Sequence, residues 1–269
     1  MERLGIIAGG GKLPLVVAKE AVKRGRELFT ALITKDEREE LVALSRSVIE
    51  VGVGELSKVI SFFKKERVKE AVIVGRVAHE EVFNTASFDP KLSSFIETLE
   101  DRRADTLLKG ILDLIEQKGI RIVEYLPFVR SYLAPRGVLT KRFPTPREMA
   151  DVELGFKLAK EIARLDVGQT VMVKKGVVVA IEALEGTDQM IIRGGKLAGA
   201  SGVVVKVSKP EQDFRFDIPV VGEDTIETLI KVKASVLAVE AGGTIILDQE
   251  KVVSLADEVE LSIISLGEV

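Results

Sequence analysis

Apolar residues in the first half of the chain fall into short runs separated by stretches with helical spacing. Residues 4–8, 28–33, 48–53, 71–74 and 120–125 read as strands. Residues 15–22, 36–45, 55–66, 92–99 and 104–117 read as helices, and the third of these places Leu56, Val59, Ile60, Phe62 and Phe63 on one face. Strands that are apolar along their whole length, alternating with helices, predict a mostly parallel sheet covered on both sides. The expectation is an α/β protein whose N-terminal domain is Rossmann-like.

The pattern breaks where Pro127, Pro135, Pro144 and Pro146 crowd around Gly137. Such punctuation marks a linker or an ordered active-site segment. The boundaries drawn from it are an N-terminal domain over 1–130, a linker over 131–146 and a C-terminal α/β domain over 147–269. Residues 146–165 read as a long amphipathic helix with Met149, Val152, Leu154, Leu158, Ile162 and Leu165 as its apolar stripe. Strands at 170–173 and 177–182 flank Lys174-Lys175-Gly176, a hairpin signal. Further strands are expected at 203–207, 218–221, 237–240, 244–247 and 259–265, with a helix at 224–233, giving a second, mixed sheet.

Composition narrows the chemistry. The 269 residues contain no cysteine and one histidine, His79. Disulfides, thiolate zinc sites, cysteine nucleophiles and two-histidine metal motifs are excluded. A divalent metal would have to be held mainly by oxygens, which points to Mg2+ or Mn2+. The net charge of −3 gives no ground for generic nucleic-acid binding. Basic clusters at Lys64-Lys65-Glu66-Arg67 and Arg102-Arg103 read as solvated helix faces. The N-terminus lacks a signal-peptide pattern, and no apolar run approaches the roughly 20 residues of a membrane span. A cytoplasmic protein is expected.

Four segments could carry chemistry. In the first, a buried strand runs into Gly9-Gly10-Gly11-Lys12-Leu13-Pro14. Glycines let a backbone approach a ligand, and a following helix N-terminus offers N–H groups to an anion. The spacing is neither the dinucleotide fingerprint nor a P-loop. The second segment, Gly75-Arg76-Val77, lies at the carboxyl end of a parallel strand, where open α/β sheets hold ligands. Arg76 reads equally as a phosphate contact or a surface residue. His79, with no partner in view, reads as structural. The third segment, Glu182 to Asp188, gathers Glu182, Glu185 and Asp188 beside Gly186 and Thr187. It can begin an oxygen-ligand metal site or simply cap a helix through Thr187 or Asp188. The fourth runs from Ser208 through Lys209, Asp213, Arg215 and Asp217 to Pro219. Carboxylates beside Lys and Arg suit metal-assisted attack on a phosphate, and they equally suit a solvated turn with internal ion pairs.

The ordered set of motifs resembles the LpxI family. It begins with Leu4-Gly5-Ile6-Ile7-Ala8-Gly9-Gly10-Gly11-Lys12-Leu13-Pro14 and continues through Asp105-Thr106-Leu107-Leu108, Pro135-Arg136-Gly137, Met149-Ala150-Asp151 and Asp166-Val167-Gly168-Gln169. Val179-Ala180-Ile181-Glu182, Glu185-Gly186-Thr187-Asp188, Lys209-Pro210, Arg215-Phe216-Asp217-Ile218-Pro219 and Glu240-Ala241-Gly242 carry it nearly to the end. The resemblance implies a two-domain hydrolase of lipid A biosynthesis. Such an enzyme cleaves UDP-2,3-diacylglucosamine to UMP and 2,3-diacylglucosamine 1-phosphate (lipid X), with a divalent metal and water directed at the α-phosphorus.

The family's essential aspartate sits in a segment ending Asp-Leu-Pro, which maps onto Asp217 with Ile218 in place of Leu; at Asp213 related sequences need not carry Asp. Glu182, Glu185 and Asp188 join Asp217 as expected metal ligands. Gly9, Gly10, Gly11, Leu13, Gly75, Arg76, Val77, Thr187, Asp188, Lys209 and Arg215 are the expected substrate contacts. Leu92, Phe95, Ile96, Leu126 and Phe128 are possible linings for acyl chains. The resemblance also implies a homodimer, and the lipid substrate implies transient contact with the inner face of a membrane. A non-catalytic nucleotide-sugar or lipid sensor and a nicotinamide-dependent oxidoreductase are the alternatives; the missing dinucleotide fingerprint counts against the second.

Overall fold

A computed structural model of the chain describes residues 2–77, 88–98 and 104–267. His79 and the Arg102-Arg103 pair lie outside the described residues. Contacts divide the chain into two compact units, Met1–Arg130 with Asp213–Asp217, and Ser131–Gln212 with Ile218–Val269.

The first unit holds β1 (Arg3–Ala8), β2 (Glu27–Leu32), β3 (Ser45–Glu50), β4 (Glu70–Val74) and β5 (Arg121–Ile122) in one sheet, ordered β3-β2-β1-β4-β5. Every neighbouring pair in it is parallel. Period-two alternation sends Ile7, Phe29, Ala31 and Ala71 to one face. There they pack with Val59, Phe62 and Phe63 of α3 (Leu56–Lys65) and with Leu112 and Ile115 of α5 (Ala104–Glu116). Leu4, Ile6, Leu28, Val72 and Val74, also buried, point the other way. The helix α1 (Leu13–Lys23) packs on β1, β2 and β4, and also touches α2 (Arg38–Leu44) and the short α6 (Leu126–Val129). Pro14 stands in the first turn of α1, where its missing N–H costs nothing. The helix α4 (Pro90–Glu97) is capped by Asp89, whose side chain accepts from Leu92 N. Strand β3 starts three residues before its expected position because it follows α2 without a connecting loop, and β5 is two residues long.

The second unit carries a six-stranded sheet ordered β6-β13-β11-β9-β7-β8. Its strands are β6 (Gly137–Val138), β7 (Thr170–Lys174), β8 (Val177–Ile181), β9 (Val203–Lys206), β11 (Val236–Glu240) and β13 (Ser262–Leu266). Strands β9, β11 and β13 are parallel; β6, β7 and β8 run antiparallel to their neighbours. One face of the sheet packs on Val152, Phe156, Ala159 and Ala163 of α7 (Pro146–Arg164). The other packs on α8 (Gly186–Ala198), α9 (Glu223–Lys231) and α10 (Gln249–Glu258). A full capping box starts α7, with Thr145 and Glu148 bonding each other's backbone N–H.

The expected hairpin forms between β7 and β8. Lys175 and Gly176 both have positive φ, at 55° and 78°, as a two-residue turn of matching twist requires. Asp151 of α7 accepts from both of their amides, at 2.7 and 2.6 Å. Residues 131–146, expected as a linker, instead supply β6 to this sheet. The segments at 218–221 and 244–247 stay out of it and form a separate two-stranded parallel pair, β10 (Val220–Val221) with β12 (Ile245–Ile246).

Candidate active site

Strand order reverses between β1 and β4 in the first unit, since β2 and β3 lie to one side and β4 and β5 to the other. Crevices at such switch points, beyond the carboxyl ends of the strands, are where open α/β sheets bind ligands. The two glycine segments meet here. Gly10 N donates to Arg76 O at 2.7 Å and Arg76 N donates to Gly10 O at 2.9 Å. A Cβ on Gly9 would lie 2.6 Å from the Arg76 carbonyl oxygen, and one on Gly75, whose φ is 100°, would lie 2.7 Å from the Gly9 carbonyl carbon. Only glycine permits this approach. The first consequence of the motif is therefore backbone packing.

Gly11, with φ 86°, is the position of that turn left open, and a Cβ built on it would lie 3.6 Å from the guanidinium of the exposed Arg76. Val77 follows, half-buried. Leu13 is buried, as a member of the core. The anion site expected at this turn has a carboxylate in it: Gly11 N donates to Asp36 Oδ2 at 2.8 Å. Asp36 follows β2 and is exposed. Reading the sequence singled it out only as a helix start, although an acid just past the second strand of a Rossmann-like sheet was a usable signal.

In the second unit, polar groups gather where the parallel strands end. Lys206, the last residue of β9, is 7% exposed and donates to Thr187 Oγ1 at 2.8 Å. Lysine has no acceptor, so the Thr187 hydroxyl is left to donate to Glu182 Oε1, also at 2.8 Å. Glu182 is buried and accepts from Gln169 N as well. Thr187 thus bonds Glu182 instead of capping α8, whose N-cap, Glu185, makes no side-chain cap bond. Glu185 is held by Arg193. Burial raises its pKa, but the Arg193 bond and two backbone N–H bonds prevail and leave it below the ordinary carboxylate value. Asp188 Oδ1 and Gln169 Oε1 are buried without a hydrogen-bond partner. Sequence reasoning missed Lys206, because a lysine ending an apolar strand looks like any solvated strand end.

Nearby in sequence, Ser208 donates to Glu240 through both its N, at 2.8 Å, and its Oγ, at 2.7 Å. Lys160 donates to both Glu240 oxygens, at 2.9 and 3.0 Å. Lys209 pairs with Asp166 at 2.8 Å. These bonds fasten the root of the segment that leaves the second unit, joins the first over Asp213–Asp217, and returns at Ile218. Phe216 holds that excursion, being 3% exposed and part of the core under α3 and α5. Arg215 donates to both oxygens of Asp213 and lies 3.9 Å from Glu116. The Arg215 bond keeps the Asp213 carboxyl below its usual range, and Asp213 in turn raises Arg215. Asp217 ends the excursion with φ 53° and an exposed side chain.

The four acidic residues expected to share a metal do not form a ready ligand set. Among the described residues, no group of three or more acidic or histidine side chains is placed to hold an ion. Glu182 and Glu185 already serve Thr187, Gln169 and Arg193, and Asp217 belongs to the other unit by its contacts. Lys209 and Arg215, expected to face a diphosphate, are likewise paired with Asp166 and Asp213. The expected acyl-chain linings Leu92, Ile96 and Phe128 are buried core.

Fold and polar groups define a two-unit α/β protein with polar groups gathered at the strand ends of each unit. The model of the LpxI N-terminal domain matches residues 3–132 and that of the LpxI C-terminal domain matches residues 135–264, so the chain belongs to the LpxI family. It is 31% identical over 277 aligned positions to the UDP-2,3-diacylglucosamine pyrophosphatase LpxI of Caulobacter vibrioides, spanning 99% of this chain and 98% of that protein. Solved structures resemble it weakly. N5-carboxyaminoimidazole ribonucleotide synthetase from Thermotoga maritima aligns at 16% identity over 68% of this chain and 41% of its own, with a TM-score of 0.26. The biotin carboxylase subunit of a pyruvate carboxylase aligns at 11% identity over 74% and 42%, with a TM-score of 0.28. The chain spans less than half of either, and scores this low establish no common fold.

Proposed function

We propose that this protein hydrolyses UDP-2,3-diacylglucosamine. Water attacks the α-phosphorus, a new P–O bond forms, and the bridging P–O bond breaks. The α-phosphate leaves as UMP and the β-phosphate stays on the sugar as 2,3-diacylglucosamine 1-phosphate. The observation that carries this reading is the end-to-end relation to a protein bearing that activity in its name, at 31% identity over 99% of the chain.

Asp217 is the residue on which we place the chemistry. Its chain neighbours Phe216 and Ile218 are both buried, so its backbone is anchored on both sides, and the residue itself is exposed. A carboxylate held this way can orient or deprotonate the attacking water. The charge developing on the phosphoryl oxygens needs cationic neighbours, and Arg76 is the exposed candidate.

A divalent cation, when bound, would lower the pKa of water and offset phosphate charge. The described residues do not supply a protein-made cage for it. Mg2+ commonly makes do with one or two carboxylates plus substrate phosphates; the exposed Asp217 is the candidate for that contact. No helix among the described residues is long and apolar enough to cross a membrane. The proposed substrate carries two acyl chains, so we expect it to be met transiently at a bilayer surface.

The test is release of UMP from UDP-2,3-diacylglucosamine with Mg2+ or Mn2+ and with EDTA. No release with either metal sinks the activity, and release unchanged by EDTA removes the cation. Asp217→Asn keeps a side chain that tolerates the left-handed backbone and removes the charge. It is expected to lower turnover at least about 100-fold with the fold intact; near-normal turnover would dismiss the residue.

A further inference from the structure

Three features line up along the carboxyl edge of the first unit's sheet. Beyond β2 and β3 lies a cavity of about 290 Å³, lined by Leu32, Ile33, Thr34, Lys35, Glu50, Val51 and Gly52. That is near the lower end of small-ligand cavities and suits a single heterocycle. Next to it, Thr34 Oγ1 is buried without a hydrogen-bond partner. A Cβ on Gly10 would lie 3.0 Å from Asp36 Oδ2 and 3.7 Å from Thr34 Cγ2, so Asp36, Thr34 and the glycine turn share one corner. Past the turn, the Arg76 guanidinium stands over Gly11.

The order along this edge is cavity, then acceptor-rich corner, then cation. The corner cannot be an anion site as it stands. The Gly11 N–H that would bind a phosphate oxygen is taken by the Asp36 carboxylate at 2.8 Å, and a second anion there would meet that charge at close range. Hydroxyl groups fit instead. A carboxylate accepts O–H bonds from a vicinal diol, and the unused Thr34 hydroxyl can bond a ligand oxygen. A group that is heterocyclic at one end, carries a diol in the middle and is anionic at the other is a nucleoside phosphate.

We propose that the first unit binds the nucleoside phosphate portion of its ligand here, with Asp36 reading the ribose diol, Arg76 meeting the phosphate and the cavity by Thr34 receiving the base. The choice of uridine rests on the proposed hydrolysis; the reading of the diol does not. The fold class makes an acid at this strand end a natural ribose contact. No dinucleotide glycine spacing accompanies it, because Gly9 and Gly75 are committed to packing the two turns together.

Calorimetric titration of the full-length protein with UMP, 2′-deoxy-UMP, uridine and inorganic phosphate tests this. Wild-type protein is expected to bind UMP about ten-fold tighter than 2′-deoxy-UMP, and inorganic phosphate more weakly than either. Asp36→Ala should weaken UMP about ten-fold and erase the difference from 2′-deoxy-UMP. Arg76→Gln should weaken UMP and leave uridine unchanged. Asp36 is exposed, so its variant should fold; far-ultraviolet circular dichroism checks that. Unchanged UMP affinity in Asp36→Ala, retained discrimination against 2′-deoxy-UMP, or no UMP binding by the wild type would each overturn the proposal. Asp36-dependent UMP binding in a protein that fails to hydrolyse UDP-2,3-diacylglucosamine would uphold it while sinking the hydrolysis.

Discussion

The strand ends of the two units treat polar groups in opposite ways. In the first unit they are exposed and loosely engaged: Arg76 stands over a glycine, and Asp36 bonds a backbone amide. In the second they are buried and bonded to one another: Lys160, Ser208 and Glu240 form one set, and Lys206, Thr187 and Glu182 another. Buried charge is costly unless paired and hydrogen-bonded, so the second arrangement can persist only if nearly every group is satisfied. Exposed charge costs little and can wait for a ligand. A polar group's presence at a strand end therefore does not mark it as a ligand contact; whether the protein has already used its bonds does. By that measure Asp188 Oδ1 and Gln169 Oε1, buried and unused, are among the exceptions in the second unit.

The largest effect should come from breaking the buried set. Lys160→Met leaves the Glu240 carboxylate, 7% exposed, without its cation. Removing one partner of a buried pair costs about 3–5 kcal/mol, and urea denaturation should show a loss of that size. Adding Glu240→Leu should recover much of it. A loss well below 1 kcal/mol would mean that the pair behaves like a surface one, and the contrast between the units would fail. Next in size is Phe216→Ala. It empties a core position shared with α3 and α5 and should cost about 3 kcal/mol. Because Phe216 precedes Asp217, turnover should fall as well, and a variant of full activity and stability would show that the segment is not seated as described.

How much of this was readable beforehand follows the same contrast. The parallel strands of the first unit were legible because Leu4–Ala8 and its neighbours are apolar along their length, a pattern only a sheet buried on both faces explains. The hairpin at Lys175-Gly176 was legible from its turn chemistry. The helix α10 went unread because Gln249–Glu258 buries only Val252 and Ala256, too few to print a period. The site was harder. Gly9, Gly10, Gly11, Gly75, Arg76 and Val77 were singled out as two separate segments and do come together, because sheet topology places both at one switch point. Asp36 was not singled out with them, since its bond to Gly11 spans 25 positions. Glu182, Glu185, Lys209 and Arg215 carried the right charges for phosphate chemistry, but their partners Thr187, Arg193, Asp166 and Asp213 are assigned only by folding.

A smaller effect separates backbone from side-chain causes in the second unit. Gly176 has φ 78° and open space around its Cα, so Gly176→Ala meets no clash. The left-handed backbone alone should cost about 1 kcal/mol. A melting shift matching a loss of 3 kcal/mol or more would mean that the Asp151 bonds to this turn had been lost too.

The smallest effect belongs to the partly exposed pair of Asp213 and Arg215, and pH is the means of reading it. The Arg215 bond lowers the Asp213 pKa in the folded protein. A carboxyl whose folded value is depressed binds fewer protons than its unfolded form over the interval between the two values. Its contribution is therefore complete above the unfolded value, near pH 4, and disappears as pH falls through the lower folded value. With side chains 22% and 31% exposed, solvent screens the pair, and its contribution should be smaller than that of Lys160 with Glu240. Urea stability of wild type and Asp213→Asn, compared from pH 6 down to about pH 2.5, should differ by a small constant amount at the upper end and converge at the lower. A gap that widens on acidification would have the wrong sign for a stabilising carboxylate. A gap at pH 6 as large as that for Lys160→Met would place Asp213 among the buried charges and remove the distinction between the two units.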